Sequence, residues 1–598
     1  MASDGHEAGS TPTWDLSNLY GGFDAADYTK HRAALREKAQ ELRRESRDES
    51  RRNDEPVAWL RACINLINEV SDLEENLASY AYCIYSCDTT DARALREING
   101  IERDVLPAAS ARVHFRNGLR MLESKLDSIL SDDDELDRYR FVLAEELHRQ
   151  RHQMSPEEED LAADLARSGA DAWSRLQDAI SSTLSNEWNP ETGESKTVVE
   201  LRSLAHDPDR EVRQKAYELE LDAWKRMETP IAFALNGVKG TSVALNDRRG
   251  YADAIEAAVA DARITRETLQ TLISVMEESL PVFRRYLSAK AKKLGLDRLA
   301  FYDLFAPVGT SRRNWSYEDA RTTIVEVFGD FSDELGAFAR TAFDHGWIDA
   351  RPRKGKVGGA YCTSLPLAKQ SRVLANYDGT FGGVSTLAHE LGHAYHHEVL
   401  KDYPALLRDY PMTLAETASI FCEQLTFNRA LRETGGAEKL AILETFLQDC
   451  TQVIVDILSR YYFEQALFEQ RPHGELSPDD LNRLMLDAQR KTYGDSLYDH
   501  ARHPYMWAVK VHYYIPSLSY YNFPYAFGAL FGIGLYGLYE REGDEFPNRY
   551  RGLLEMTGST SAEKVTAGAG FDISSPDFWR RGISVIERHI AEYEKTQS

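Results

Sequence analysis

"TLAHELGHAYHHEVL", residues 386 to 400, sets four histidines and two glutamates into a stretch that otherwise has the apolar spacing of a helix. On a helix, residues four apart share a face. His389 and His393 therefore project side by side one turn apart, with Glu390 rotated to the adjacent position. This is the H-E-x-x-H spacing, in which two neutral imidazoles hold a zinc ion and the glutamate reaches a water beside it. Leu387, Leu391 and the small Ala388, Gly392 and Ala394 surround the pair, making a poor solvated face but a good packed helix. Desolvated imidazoles need partners, and a metal supplies them.

Catalytic zinc commonly takes three protein ligands and a water, so a third donor is required. The metzincin spacing would put glycine at 396 and histidine at 399, where this chain has His396 and Val399. His396 lies near the face of His389, but three ligands along one straight helix would spread over about 10 Å of rise. Glu398 falls on the opposite face. A better source is the next helical stretch, "TLAETASIFCEQL" from Thr413, where Glu416 and Glu423 share a face. Glu416 also follows Thr413 as T-x-x-E after Pro411, the form of a capping box, and spacing leaves ligand and cap equally open. Glu423 reads most simply as a core-edge carboxylate, and otherwise as a group that orients a ligand.

The bulk properties exclude other classes. At 598 residues the chain exceeds what one core supports, so more than one lobe is expected. A net charge of −25 repels phosphates and anionic lipid, and no basic stripe offsets it, so neither nucleic acid nor membrane is an expected partner. Cys63, Cys83, Cys87, Cys362, Cys422 and Cys450 are scattered without a C-x-x-C. That pattern predicts reduced thiols in a cytoplasm. The N-terminus lacks a basic region followed by an apolar one, against export. The apolar run from Phe523 is short and broken by glycines, and predicts a buried helix.

Along the chain, residues 24 to about 185 are a succession of helical patterns. "NPETGESKTVVEL" from Asn189 predicts a small hairpin. Helices then resume until Arg351, where a glycine-rich segment to Gly383 carries "RVLANY" and predicts strands leading into the histidines. The partition expected is an N-terminal helical lobe over 1–200 and a catalytic metal-binding domain over 201–598.

The segment from Gly358, "GGAYCTSLPLAKQSRVLANYDGTFGGVSTLAHELGHAYHH", followed by "MTLAETASIFCEQL", resembles oligoendopeptidase F and its thimet-oligopeptidase relatives. "TWDLSNLYGG" near the start, "RRGYADAIEAAVADARITRETLQTLI" and the late "YYNFPYAFGALFG" resemble further blocks of that family, in order. The resemblance implies a mainly α fold of two helical lobes enclosing a deep channel, with a small β-sheet near the zinc helix. It implies one Zn2+ per chain held by His389, His393 and Glu416, with Glu390 as general base and acid. It places His512 and Tyr525 as donors to the substrate carbonyl, Tyr521 as a substrate contact, and Gly358, Gly359 and Ala360 as backbone partners for an extended peptide. Pro524 and Phe527 depart from the family's aromatic-rich stretch at that point. The expected activity is endopeptidase cleavage of short unstructured peptides. The alternatives are a zinc carboxypeptidase of related shape or a peptide-binding protein without catalysis.

Overall fold

The computed structural model describes residues 11–309 and 313–596. Packing divides the chain into two compact units, each assembled from three segments. One comprises Met1–Pro156, Arg313–Arg429 and Leu538–Phe571; the other comprises Glu157–Arg312, Ala430–Gly537 and Asp572–Ser598. Contacts thus group segments distant in sequence rather than following a single cut near residue 200.

The first unit opens with long helices, Ala26–Glu45, Pro56–Cys87, Ala92–Ser131 and Arg140–Arg151. Their starts follow local chemistry: Pro56 occupies the first turn, and the Asp91 carboxylate accepts from the amides of Arg93 and Ala94. Leu35, Ala39 and Leu42 recur at helical spacing and bury against Trp59, Cys63, Ile67 and Phe115 in one core. Tyr20, Tyr28 and Tyr80 meet within that core, Tyr20 edge-on to both others.

The glycine-rich segment of this unit forms the expected strands. Tyr361–Leu365 and Gln370–Leu374 pair antiparallel, Tyr361 opposite Leu374, and Ile348–Asp349 adds in parallel to the far side of Gln370–Leu374. The order leaves Tyr361–Leu365 at an edge. The early "TWDLSNLYGG" is tied to this sheet. Asp15 donates its amide to Gly346, and the buried Arg372 guanidinium reaches the Asp15 carbonyl and the Asn18 side chain.

In the second unit the predicted hairpin is present as Ser185–Asn189 and Glu194–Thr197. Thr197 then starts the next helix with a capping box to Glu200. The long helices Arg210–Arg248, Arg266–Lys293, Ile457–Gln470, Pro478–Tyr493 and Pro576–Lys595 make up most of the rest. The apolar run from Phe523 is helical to Glu542, and among the described residues no helix is long and apolar enough to cross a membrane.

Candidate metal centre

The quoted histidines lie on the helix Phe381–Leu400 of the first unit, which begins where the Thr380 hydroxyl accepts from the Gly383 amide. One flank packs on the small sheet, where His397 Nδ1 stands 3.2 Å from Ser371 Oγ. His396, whose position on a straight helix strains a shared ion, is fully buried elsewhere: its Nε2 lies 2.8 Å from Thr557 Oγ1 and its ring stacks on Tyr410. Glu398 pairs with Lys401.

The following helix runs Met412–Glu433. It starts one residue before Thr413, with Pro411 accepting the first backbone bonds, so Glu416 lies in the second turn and is not the closing glutamate of a cap. Its carboxylate instead faces the histidines. Glu416 Oε2 is 3.3 Å from His389 Nε2 and 3.4 Å from His393 Nε2, and the two rings stand at 79°. Around a tetrahedral ion with bonds of about 2.1 Å, neighbouring donors are about 3.4 Å apart, so this spacing fits one zinc-sized cation. Among the described residues this is the group of three or more histidine, cysteine and acidic side chains able to hold a metal.

The proximity of the two helices depends on Gly392. A Cβ there would stand 2.6 Å from the Ala418 carbonyl oxygen and 2.6 Å from Ser419 Cα. Ser419 in turn donates to Glu416 Oε2 at 2.6 Å, fixing the rotamer that points at the rings.

Glu423, read from sequence as a core-edge carboxylate, is part of the same constellation. His389 Nδ1 lies 3.3 Å from Glu423 Oε2, and Ser385 donates to Oε1 at 3.0 Å. With Nδ1–H given to Glu423, Nε2 of His389 carries its lone pair toward the Glu416 carboxylate. Two lone pairs facing each other require a positive charge between them, supplied either by a bound cation or by a proton on Nε2. Burial opposes charge on the His389 ring, yet Glu416 and Glu423 outweigh it and hold its pKa well above the ordinary histidine range. Glu416 is held low by both rings although burial works the other way. The signal for Glu423 in sequence was its seven-residue spacing from Glu416, combined with Ser385 one turn before His389.

Glu390 is buried, 6% exposed, with Oε2 lacking any hydrogen-bond partner. Burial raises its pKa, and the nearby His389 and His393 pull it back. An orphaned carboxylate oxygen beside a cation site suits proton transfer from a water.

The remaining sequence candidates fall in two places. Gly358, Gly359 and Ala360 form an irregular bend just before the edge strand Tyr361–Leu365; Gly358 and Gly359 are exposed, and Gly359 has a φ of +78°. The Asn376 amide holds the bend through the carbonyls of Val357 and Gly359, both at 2.9 Å. His512, Tyr521 and Tyr525 lie together in the second unit. The His512 ring stacks on Tyr521 at 4.7 Å, and the Tyr525 hydroxyl is 3.5 Å from that of Tyr521. Burial, then Arg460 and Lys510, push His512 down to about 4, leaving a neutral ring at neutral pH.

Comparison with known proteins gives a consistent result. Residues 203–585 match the model of Peptidase family M3, and residues 119–185 match that of Oligopeptidase F. The Group B oligopeptidase PepB of Streptococcus agalactiae is 27% identical over 485 residues, 80% of each chain. Oligopeptidase PepF of Bacillus subtilis is 25% identical over 80% of this chain and 72% of its own. The crystal structure of oligoendopeptidase-F from Enterococcus faecium shares the fold with a TM-score of 0.72 at 18% identity, over 95% of this chain and 98% of that one. Since the family model spans well over half of the sequence and includes both helices of the histidine and glutamate cluster, this chain belongs to peptidase family M3.

Proposed function

We propose that this peptidase is a zinc-dependent endopeptidase that cleaves short, unstructured oligopeptides, with one Zn2+ per chain held by His389, His393 and Glu416. The observation that carries the reading is the convergence of two imidazole nitrogens and a carboxylate oxygen at 3.3 and 3.4 Å, with the partnerless Oε2 of Glu390 on the same helix. Bound there, zinc would supply Lewis acidity toward water and the peptide carbonyl.

The chain's own groups carry the proton traffic. Glu390, kept basic by burial, takes a proton from the attacking water and returns it to the leaving amine. Glu423 keeps His389 in the tautomer that offers Nε2, and Ser419 keeps Glu416 turned toward the rings. The resemblance assigns His512 and Tyr525 to the carbonyl oxygen as it gains charge, and Tyr521 to the substrate. The neutral His512 ring and the linked tyrosine hydroxyls are donors of the kind this needs. An extended peptide would pair with the free edge of Tyr361–Leu365, beginning at Gly358, Gly359 and Ala360.

The test combines metal and product analysis. Purified protein should contain one zinc per chain, lose cleavage of an end-blocked peptide library with a chelator, and regain it with zinc. Mass spectrometry should find internal cuts in short peptides and none in folded proteins. Turnover indifferent to chelation would remove the zinc from the mechanism, and release of single C-terminal residues alone would replace an endopeptidase by a carboxypeptidase.

A further inference from the structure

The first unit holds a cavity of about 520 Å³ that the chemistry above leaves unused. Its walls come from the helices Pro56–Cys87 and Ala92–Ser131, the hairpin of the small sheet, the end of the helix Phe381–Leu400 and residues 405–410, which lead into the helix Met412–Glu433. His389, Glu390, His393 and Glu416 are not among those walls, so the cavity is separate from the metal centre. Its volume falls within the range of about 300–1,000 Å³ usual for small-molecule sites.

Most charges in these walls are already matched. Arg408 is paired with Asp72 and Glu75, Lys401 with Glu398, and Lys369 with Asp402. Two charges are left over. Glu74 has neither an ion-pair nor a hydrogen-bond partner among the described residues; burial raises its carboxyl, and the nearby Arg112 charge pulls it back. Arg112 gives only Nη1 to a carboxylate, that of Glu146 at 3.1 Å, which Arg116 also holds at 2.6 Å. Nε and Nη2 of Arg112 are left without a hydrogen bond, and neither is sealed from solvent. Asp409 shares the wall and is felt by Arg112 without an ion pair to it. Glu74 and Arg112 thus face one cavity with opposite charges, too far apart to pair with each other and each with bonding capacity to spare. A ligand carrying both an ammonium and a carboxylate would satisfy the two together. His397, whose Nδ1 is 3.2 Å from Ser371 Oγ, has no hydrogen bond at Nε2 among the described residues, and burial pushes its ring down to about 3. It is therefore one more neutral hydrogen-bonding group in the wall. Phe338 and Trp347, edge-on at 6.0 Å, add apolar surface.

We propose that this cavity binds a small zwitterion, a free α-amino acid or a dipeptide, with its ammonium on Glu74 and its carboxylate on the open donors of Arg112. Peptide hydrolysis releases molecules of this class, but the site is argued from the cavity itself and does not rest on the peptidase reading.

Isothermal titration calorimetry on the full chain tests this with leucine and Leu-Leu, each also acetylated at the amine or amidated at the carboxylate. At least one free zwitterion should bind, and blocking either end should weaken it at least tenfold. Which of the two binds tells the amino acid from the dipeptide. Glu74→Gln should hold the free and acetylated forms within about twofold of each other while still rejecting the amide. Arg112→Gln should lose the discrimination against the amide and keep that against the acetylated form. Binding should survive chelator treatment, because no metal takes part. No binding of any probe by wild type, equal affinity for free and blocked forms, unchanged discrimination in E74Q, or loss of binding on chelation each overturns the proposal. Arg112 also pairs with Glu146, so R112Q counts only with the melting temperature of wild type. Otherwise E74Q, which breaks no existing pair, decides alone. A protein that cleaves no peptide yet shows these affinities would remove the peptidase reading and leave the zwitterion site standing.

Discussion

Gly392 and Ala418 lie so close across two helices that a single methyl group on Gly392 would stand 2.6 Å from the Ala418 carbonyl oxygen. The obstacle is backbone, which cannot rotate away as a side-chain end would. Gly392 is also central in the helix that carries His389 and His393, while Ala418 sits two residues beyond Glu416. The distance between the two imidazoles and the Glu416 carboxylate is therefore set by the absence of a side chain. Gly392→Ala is expected to push the helices apart, costing about 1–3 kcal/mol in stability and more in zinc affinity. Thermal unfolding and zinc titration of the purified variant check this; wild-type metal affinity would show that the helices can part without moving Glu416.

Glu423→Ala removes the acceptor of His389 Nδ1 and leaves Ser385 without its 3.0 Å partner. Zinc affinity should fall about 10- to 100-fold. Glu423→Gln, which keeps an oxygen able to accept from Nδ1–H, should recover part of that loss. Competition with a chelating dye measures both, and indistinguishable affinities for the three proteins would return Glu423 to the role of a core-edge carboxylate.

Glu390→Gln preserves size and burial but cannot take a proton. The variant should bind zinc as wild type does, keep its melting temperature, and lose about 100- to 10,000-fold in kcat. The Glu390 carboxylate is buried without a partner for Oε2, so the amide should not destabilise the fold. Near-normal turnover by a zinc-loaded E390Q protein would assign the proton transfer to another group.

A pH-dependent contribution to stability is expected in the second unit from Glu220, which is buried between Arg202 at 3.0 Å and the Trp224 indole at 3.2 Å. Burial alone would raise this carboxyl; Arg202 reverses the effect and holds it at about 2, below its ordinary 4.5. Because the folded value is depressed, the contribution is complete above pH 4.5 and is lost as the pH falls toward 2. Its size is on the order of 3 kcal/mol. Urea midpoints of wild type and Glu220→Gln should differ most near neutrality and converge through that acid window, whereas a constant gap at all pH values would rule out the ionised pair as its source.

Much of this was legible in the sequence because it is local. The four-residue spacing of His389 and His393 predicts a shared helical face, and the helix Phe381–Leu400 displays it. The glycine and β-branched pattern of residues 189 to 201 predicts a hairpin, and the strands Ser185–Asn189 and Glu194–Thr197 pair there. Periodicity reports which way a side chain points along its own element, and that is decided by backbone geometry over a few residues.

What lay beyond it depends on which elements meet. Spacing left Glu416 divided between a cap and a ligand, and a one-residue shift in the helix start, together with the close approach at Gly392, placed its carboxylate against both rings. Glu423 looked like an ordinary edge residue until His389 and Ser385 were seen to share its two oxygens. Sequence alone determined the helices, the hairpin and the pair of histidines, because these follow from neighbours in the chain. Tertiary structure decided which carboxylates meet the two rings, because that is a relation between residues that only packing brings together.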